Sequence, residues 1–352
     1  ETLVEAAELA ARVGDRRVEL RARLELAAAH LLDDSGGGAE RVLTLAHEAL
    51  PVFEGLGDHH SLGRAWMLTG WVQGGVYLHN DLWSECAAQA LGHYRAAGLP
   101  SSTCIGHLAA AAYFGPLPAS AGVARCLDLL EHEVDDLAGE ATVLAHLGGL
   151  EAMLGRFEGA WERLAAARAI YRDLGRPTAI VRTCAPIEAD AARWAGDLER
   201  ERATLIDSCA ILRELQNWTP FATQAAALAD ACLRLGREPE ARAWLDDAER
   251  RSRSEDLASQ LKLCRVRVQL LRCEGDDRAA VRLARETVDL AAGTDALNER
   301  AELLLVLASV LGAAGEDGRP AAAQALEIFE AKENAAAAAH VGAAAAAADG
   351  SR

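Results

Sequence analysis

Lys262, Arg265, Gln269 and Arg272 stand at i, i+3, i+7 and i+10. That spacing sets three cations and an amide along one face of a helix of 3.6 residues per turn. Such a stripe could grip an acidic peptide or a chain-terminal carboxylate through charge-assisted hydrogen bonds. About one and two 40-residue steps earlier in the chain the counterparts are Asp230 and Arg234, then Asp190, Arg193 and Trp194. The plainer alternative is a solvated face whose charges pair within each helix. The sharper reading expects a salt-sensitive partner interaction, weakened by Arg265→Glu and Arg272→Glu.

A second candidate is aromatic. Eight of the sixteen Phe, Trp and Tyr residues fall within 53–114: Phe53, Trp66, Trp71, Tyr77, Trp83, Tyr94, Tyr113 and Phe114. Trp66, Trp71, Tyr77 and Trp83 are the best local candidates for a ligand pocket, because large faces with a polar handle recur at such sites. Gly70, Gly74 and Gly75 beside them would permit close backbone approach. The alternative is that the rings fill gaps where packing is irregular. Seven of the ten His lie between His59 and His146. A metal site would need His79, His93 and His107 to converge with supporting partners, and no metal is expected.

Motifs for catalysis are missing from the sequence. There is no G-x-x-x-x-G-K-[ST], and the triple Gly at 36–38 runs into Ala39-Glu40, so a phosphate cradle would lack its Lys. G-x-S-x-G, H-E-x-x-H and the kinase signatures are also absent. No catalytic residues and no cofactor are expected. The eight Cys are dispersed without a C-x-x-C pair, which reads as buried, reduced thiols.

A net charge of −17 argues against a nucleic-acid surface. No apolar run reaches the ~18–20 residues of a membrane span. The longest, from His107 to Ala124, is broken by Gly115, Pro116 and Pro118. A cytoplasmic protein is expected. The first residue is Glu, and the chain reads as a segment of a longer polypeptide.

What must position these residues is a helical array. At 352 residues the chain exceeds the size of one growing core. Its apolar residues are mostly Ala and Leu, which favours closely packed helices. Gly155, Gly196, Gly236, Gly275 and Gly315 return at spacings of 41, 40, 39 and 40, each between two amphipathic helical patterns. A fixed period in this range marks a solenoid. Regular pairs cover 140–334, weaker copies fit 17–57, 59–98 and 101–139, and 1–14 reads as the second helix of a truncated unit. The division is thus 1–139 irregular, 140–334 regular, and 335–352 an Ala-rich tail expected to fray. Asp33 to Gly38 is expected to form a long turn, and Pro116 and Pro118 to interrupt the third pair.

The pairs resemble tetratricopeptide repeats (TPR), most clearly over 144–171. Leu147-Gly148, Ala160, Leu164 and Ala167 sit at that family's small and large packing positions. With a period longer than the usual 34 residues, they resemble the extended TPR-like regions of bacterial signalling proteins. Two groups are similar: cyclase–ATPase fusions with a C-terminal helical repeat region, and large ATPase-type transcriptional activators with a sensor superhelix. The first is the more similar. LEAMLGRFEGA (150–160), LADACLRLGREPEA (228–241), SEDLASQLKLCRVRVQLL (254–271), the stretch 284–315 and ALEIFEAKEN (325–334) follow its order and spacing. Leu263 stands where that family commonly carries Trp, and Glu333 replaces the Gly of its terminal Lys-Gly-Asn.

The resemblance implies an all-α, right-handed α-solenoid of about eight TPR-like helix-turn-helix pairs with a ~40-residue period. It implies a non-catalytic scaffold or sensor region of a larger bacterial signalling ATPase, with or without a nucleotide cyclase. Its partners would be a protein, a peptide or a small-molecule inducer, together with the attached ATPase and cyclase domains. The rival readings are a standalone TPR adaptor and the sensor domain of a transcriptional activator. Walker and cyclase motifs upstream of Glu1 would favour the sensor, and a nearby start codon the adaptor.

Overall fold

The structure, a computed structural model, describes residues 2–30 and 37–349. Among these residues every regular element is a helix. A lone helix α1 (Thr2–Val13) leads into pair one, α2 (Arg16–His30) and α3 (Gly38–Gly55). Pair two is α4 (His59–Trp71) and α5 (Asn80–Ala96), and pair three is α6 (Ser102–Phe114) and α7 (Ala119–His132). Pair four is α8 (Leu137–Met153) and α9 (Phe157–Asp173). In pair five α10 (Pro177–Ala179) and α11 (Ala185–Trp194) form one continuous first helix, followed by α12 (Leu198–Glu214). Pair six is α13 (Trp218–Arg234) and α14 (Glu238–Glu249), and pair seven α15 (Leu257–Cys273) and α16 (Asp277–Ala292). Pair eight is α17 (Leu297–Ala313) and α18 (Arg319–Lys332), and α19 (Ala335–Asp349) ends the array. Sequence-adjacent helices pack on one another throughout, which is the layout of an α-solenoid.

The recurring glycines end first helices. All five carry φ between 71° and 80°, a left-handed conformation that a Cβ would penalise. Gly155 N–H returns to Ala152 O and Arg156 N–H to Glu151 O, which satisfies carbonyls the helix leaves open. Where Asp follows, as in Gly196-Asp197 and Gly275-Asp276, its carboxylate caps the next helix by accepting from the N–H of Arg200 or Ala279. One dipeptide stops a helix and starts another, each cap being worth about 1 kcal/mol.

Two first helices contain a π-helical turn that periodicity did not predict. In pair five it spans Ile180–Cys184. Pro186 lacks the N–H that Arg182 O would otherwise accept, and its ring crowds that carbonyl. Widening the preceding turn relieves the clash. Ala185 N–H then bonds Ile180 O, and the displaced Val181 carbonyl accepts from Gln224 Nε2 at 2.7 Å and Ser208 Oγ at 3.3 Å. In pair two the turn spans Val72–Val76, is capped by Tyr77 and is followed by Leu78 with φ 58°.

The core is small-residue packing. First helices touch across pairs, α6 on α8, α8 on α11, α13 on α15 and α15 on α17. At Gly149 an added Cβ would lie 2.4 Å from the Tyr113 ring and 2.6 Å from Ile187. Gly149→Ala is therefore expected to cost about 1–3 kcal/mol through overpacking, despite about 1 kcal/mol gained in helix propensity. A thermal midpoint that rose instead would refute this.

The array also curls back on itself. The π-turn of pair two meets α15 of pair seven, the α6–α7 loop meets the end of α18, and α19 meets α8 and α11. The last contact packs the start of the Ala-rich tail. Ala336 and Ala337 are buried, and His340 Nε2 donates to Trp194 O at 2.8 Å. Gly115 to Pro118 interrupts the third pair as expected. Of the expected long turn, 33–36 lies outside the described residues, Gly37 caps α3 and Gly38 is already helical.

Candidate functional site

The predicted basic stripe lies where first helices of successive pairs face one another. Arg265 on α15 is 5% exposed and meets Asp230 of α13 at 3.1 Å, Glu299 of α17 at 3.7 Å, and Glu302 of α17. Lys262 Nζ is 2.6 Å from Glu299, Gln269 Nε2 donates to Asp230 at 2.6 Å, and Arg272 donates to Ser309 Oγ at 2.7 Å. Arg234 binds Glu201 at 2.7 Å and Asp230 at 3.2 Å. Arg193 binds Asp190 at 2.8 Å and reaches Glu302 three pairs away, while its guanidinium lies 5.7 Å from the buried Trp194 ring. Tyr113 of α6 donates to Asp190 at 2.9 Å.

Arg265 is thus buried within the stripe, while Arg272 at its end is exposed. All four stripe residues are engaged with side chains of other helices, whereas the counterpart pairs Arg193–Asp190 and Arg234–Asp230 lie within one helix, as the solvated-face alternative required. The pairs span 37 residues (Lys262–Glu299, Arg265–Glu302, Arg272–Ser309) or 39 (Gln269–Asp230), about one helix pair. Sequence reasoning missed Glu299, Glu302, Ser309 and Glu201, and placed Tyr113 with the aromatic residues alone. The signal was present: Glu299 and Glu302 sit at i, i+3, the same distance beyond Lys262 and Arg265.

Burial and charge pull the carboxyls apart. At Asp230 burial pushes upward, but Arg234, Arg265, Gln269 and Arg193 outweigh it and hold the group well below its usual range. At Glu302 burial is likewise overcome by Arg193, Arg265 and Lys262. At Glu201 burial wins over Arg234 and Arg193, and with repulsion from Asp230 and Asp190 the carboxyl is pushed up to about 7. The count agrees: the five carboxyls Asp190, Glu201, Asp230, Glu299 and Glu302 face four cations, Arg193, Arg234, Lys262 and Arg265. One carboxyl is in excess, and Glu201 is the one that can hold a proton near neutrality.

No protein-family model matches the chain, and no curated protein does.

The aromatic residues do not form one pocket. Trp66, Tyr94 and Tyr113 join the largest core, Trp71 and Tyr77 pack on the core of pairs one and two, and Phe53 and Trp83 lie in two further clusters. Trp83 lies over Gly74, where an added Cβ would be 2.2 Å from its ring, so that glycine makes room for an indole. His93 pairs with His59 at 3.0 Å, His79 with Gln73, and His107 stacks edge-on against Trp83. Burial pushes His107 and His146 down to about 4, so both are neutral. Among the described residues no three His, Cys, Asp or Glu are grouped to hold a metal. Burial pushes the thiols of Cys104, Cys126, Cys184 and Cys209 up to about 12, which leaves them protonated and unreactive.

A cavity of 230 Å³ opens instead between α2 and α4. Arg21, His60 and Arg64 line it with Glu25, over an apolar floor of Leu24 and Phe53. Glu25 takes both of its oxygens to Arg64, at 2.7 and 2.8 Å, whereas Arg21 meets His60 at 3.4 Å. No helix among the described residues is long and apolar enough to cross a membrane.

Proposed function

We propose that the chain is a non-catalytic sensor or scaffold solenoid, TPR-like and right-handed with a ~40-residue period, that regulates a larger bacterial signalling ATPase. The observation that carries this is the buried charge network. Its acids and bases are spent on one another across pairs five to eight, so a displacement of one first helix must be felt by the others. Such coupling suits transmission of a binding event better than turnover of a substrate. Glu333 adds support to the resemblance, since it holds φ 58° at the place where the related ATPase fusions carry Gly.

The cavity between α2 and α4 favours a small-molecule inducer of anionic character, with Arg21 as its first contact. Deleting this region from the intact protein is expected to change nucleotide turnover by several-fold. Turnover indifferent to the deletion would end the sensor reading. A thermal-shift screen of small carboxylates against the solenoid and its Arg21→Ala variant tests the inducer, and equal shifts for both would count against the cavity.

A further inference from the structure

The interior network of pairs five to eight holds one carboxyl in excess, and the edge of pairs five and six shows the reverse. The end of α12, the start of α13 and the end of α14 meet there. Asp247, in the last turn of α14, accepts from Arg213 of α12 at 2.7 Å, from Arg250 at 3.1 Å, and from Arg251. Burial pushes its carboxyl upward, but the three guanidiniums outweigh it and hold the group below its usual range. One ionised carboxylate therefore serves three permanent cations. Neighbouring acids do not make up the difference. Glu249 is paired with Arg267 at 2.6 Å, and Glu255 with Arg253 at 2.8 Å. Glu214 and Asp246 stand one residue from Arg213 and Asp247, which turns them about 100° away around their helices. They pair with none of the three arginines.

Aromatic rings hold these cations in place. The Arg251 guanidinium lies 4.5 Å from the Trp218 ring and 5.4 Å from Phe221. That of Arg213 lies 5.2 Å from Phe221 and 5.4 Å from Trp244. Stacking of this kind orients the planar fork while leaving its N–H groups free to donate outward. Phe221 is buried, whereas Trp218 and Trp244 are half-buried and keep part of each ring toward water. Arg213 is 47% exposed and Arg250 63%, so the donors that Asp247 does not use are open to an incoming group. Trp and Arg side by side are the composition of an interface hot spot. In a chain of net charge −17, two cations in excess are a local reversal of sign.

We propose that this edge is a docking surface for an acidic peptide segment of a partner protein, with Arg213, Arg250 and Arg251 as its anchors. The excess charge is divided between α12 and the end of α14, with rings between. That layout suits two side-chain carboxylates and their apolar stems better than one compact dianion. The carboxylates accept from the unused guanidinium N–H groups, as charge-assisted hydrogen bonds, and the stems cover Trp218 and Trp244. The acidic surface elsewhere repels the same segment, which fixes where it lands. The surface stands whether or not the chain regulates an ATPase.

Fluorescence anisotropy of a labelled hexaglutamate peptide, titrated with the full chain at low and high salt, tests it. Binding should weaken with salt. Arg250→Glu should weaken it by about tenfold or more, the loss of one charge-assisted hydrogen bond. Arg250 is largely exposed, so the loss of its surface pair costs the fold little. Arg242→Glu makes the same change of charge at the other end of α14 and should leave affinity within about twofold, because exposed charges that far apart are largely screened. Failure of the parent to bind the peptide would overturn the proposal, and so would equal losses in the two variants. Displacement of the peptide by inorganic phosphate at equal concentration would show a compact-anion site and overturn it. Self-association of the parent that Arg250→Glu abolishes would make the occupant a second copy, and would overturn it equally.

Discussion

Replacing Arg265 with Leu is expected to remove about 3–5 kcal/mol of stability, the cost of breaking a buried ion pair by deleting one partner. Arg265 holds Asp230, Glu299 and Glu302 at once, with 5% of its side chain exposed. Its loss leaves three buried carboxyls short of a cation, and Arg193, Arg234 and Lys262 cannot replace it without giving up their own partners. The double variant Arg265→Leu/Glu302→Leu should recover much of that loss, because it removes one charge of each sign together. Urea unfolding followed by the fluorescence of the seven Trp, Trp194 beside the network among them, reads both variants. A double variant no more stable than the single one would mean that the network is not what holds these helices.

The second large effect is a pH dependence set by Glu201. Its carboxyl is raised from 4.5 to about 7 in the folded chain, so folding takes up a proton between those values. The favourable contribution is complete below pH 4.5 and is lost as pH rises through 7. Stability from this group should therefore fall by about 3 kcal/mol from pH 4.5 to pH 8. Glu201→Gln keeps an acceptor for Arg234 without the excess charge. It should flatten that slope and be more stable than the parent at pH 8 by about 1–3 kcal/mol. Denaturant midpoints at pH 5 and pH 8 measure it, and parallel curves for parent and variant would refute the assignment.

The helix pairs were legible because their signals are local. Gly155, Gly196, Gly236, Gly275 and Gly315 stop helices by a backbone conformation that few other residues accept, and the Asp after two of them starts the next. The widened turn at Ile180–Cys184 was not legible, since Pro186 in a helical pattern signals trouble without saying how it is relieved. Its remedy comes from Ser208 and Gln224, on other helices. The stripe at Lys262 to Arg272 was legible as one face, but its partners were not: a helical face carries no mark of whether water or another helix lies opposite. Only pairing it with Glu299 and Glu302 one unit on would have distinguished the two. Lys332 illustrates the hardest case. Its acceptors are the backbone carbonyls of Ala112, Gly115 and Leu117, groups which every sequence possesses, at a separation no local pattern reports.

The return contact between pairs five apart places a constraint on how such a chain can lengthen. An open array can gain or lose a unit anywhere, because each unit answers only to its neighbours. Here Asp295 must arrive at Asn80, and Lys332 at Gly115, after a set number of intervening helices. One unit inserted between residues 120 and 295 would carry both side chains past their targets. The winding therefore fixes the count of the units it encloses, and growth by duplication is free only outside it.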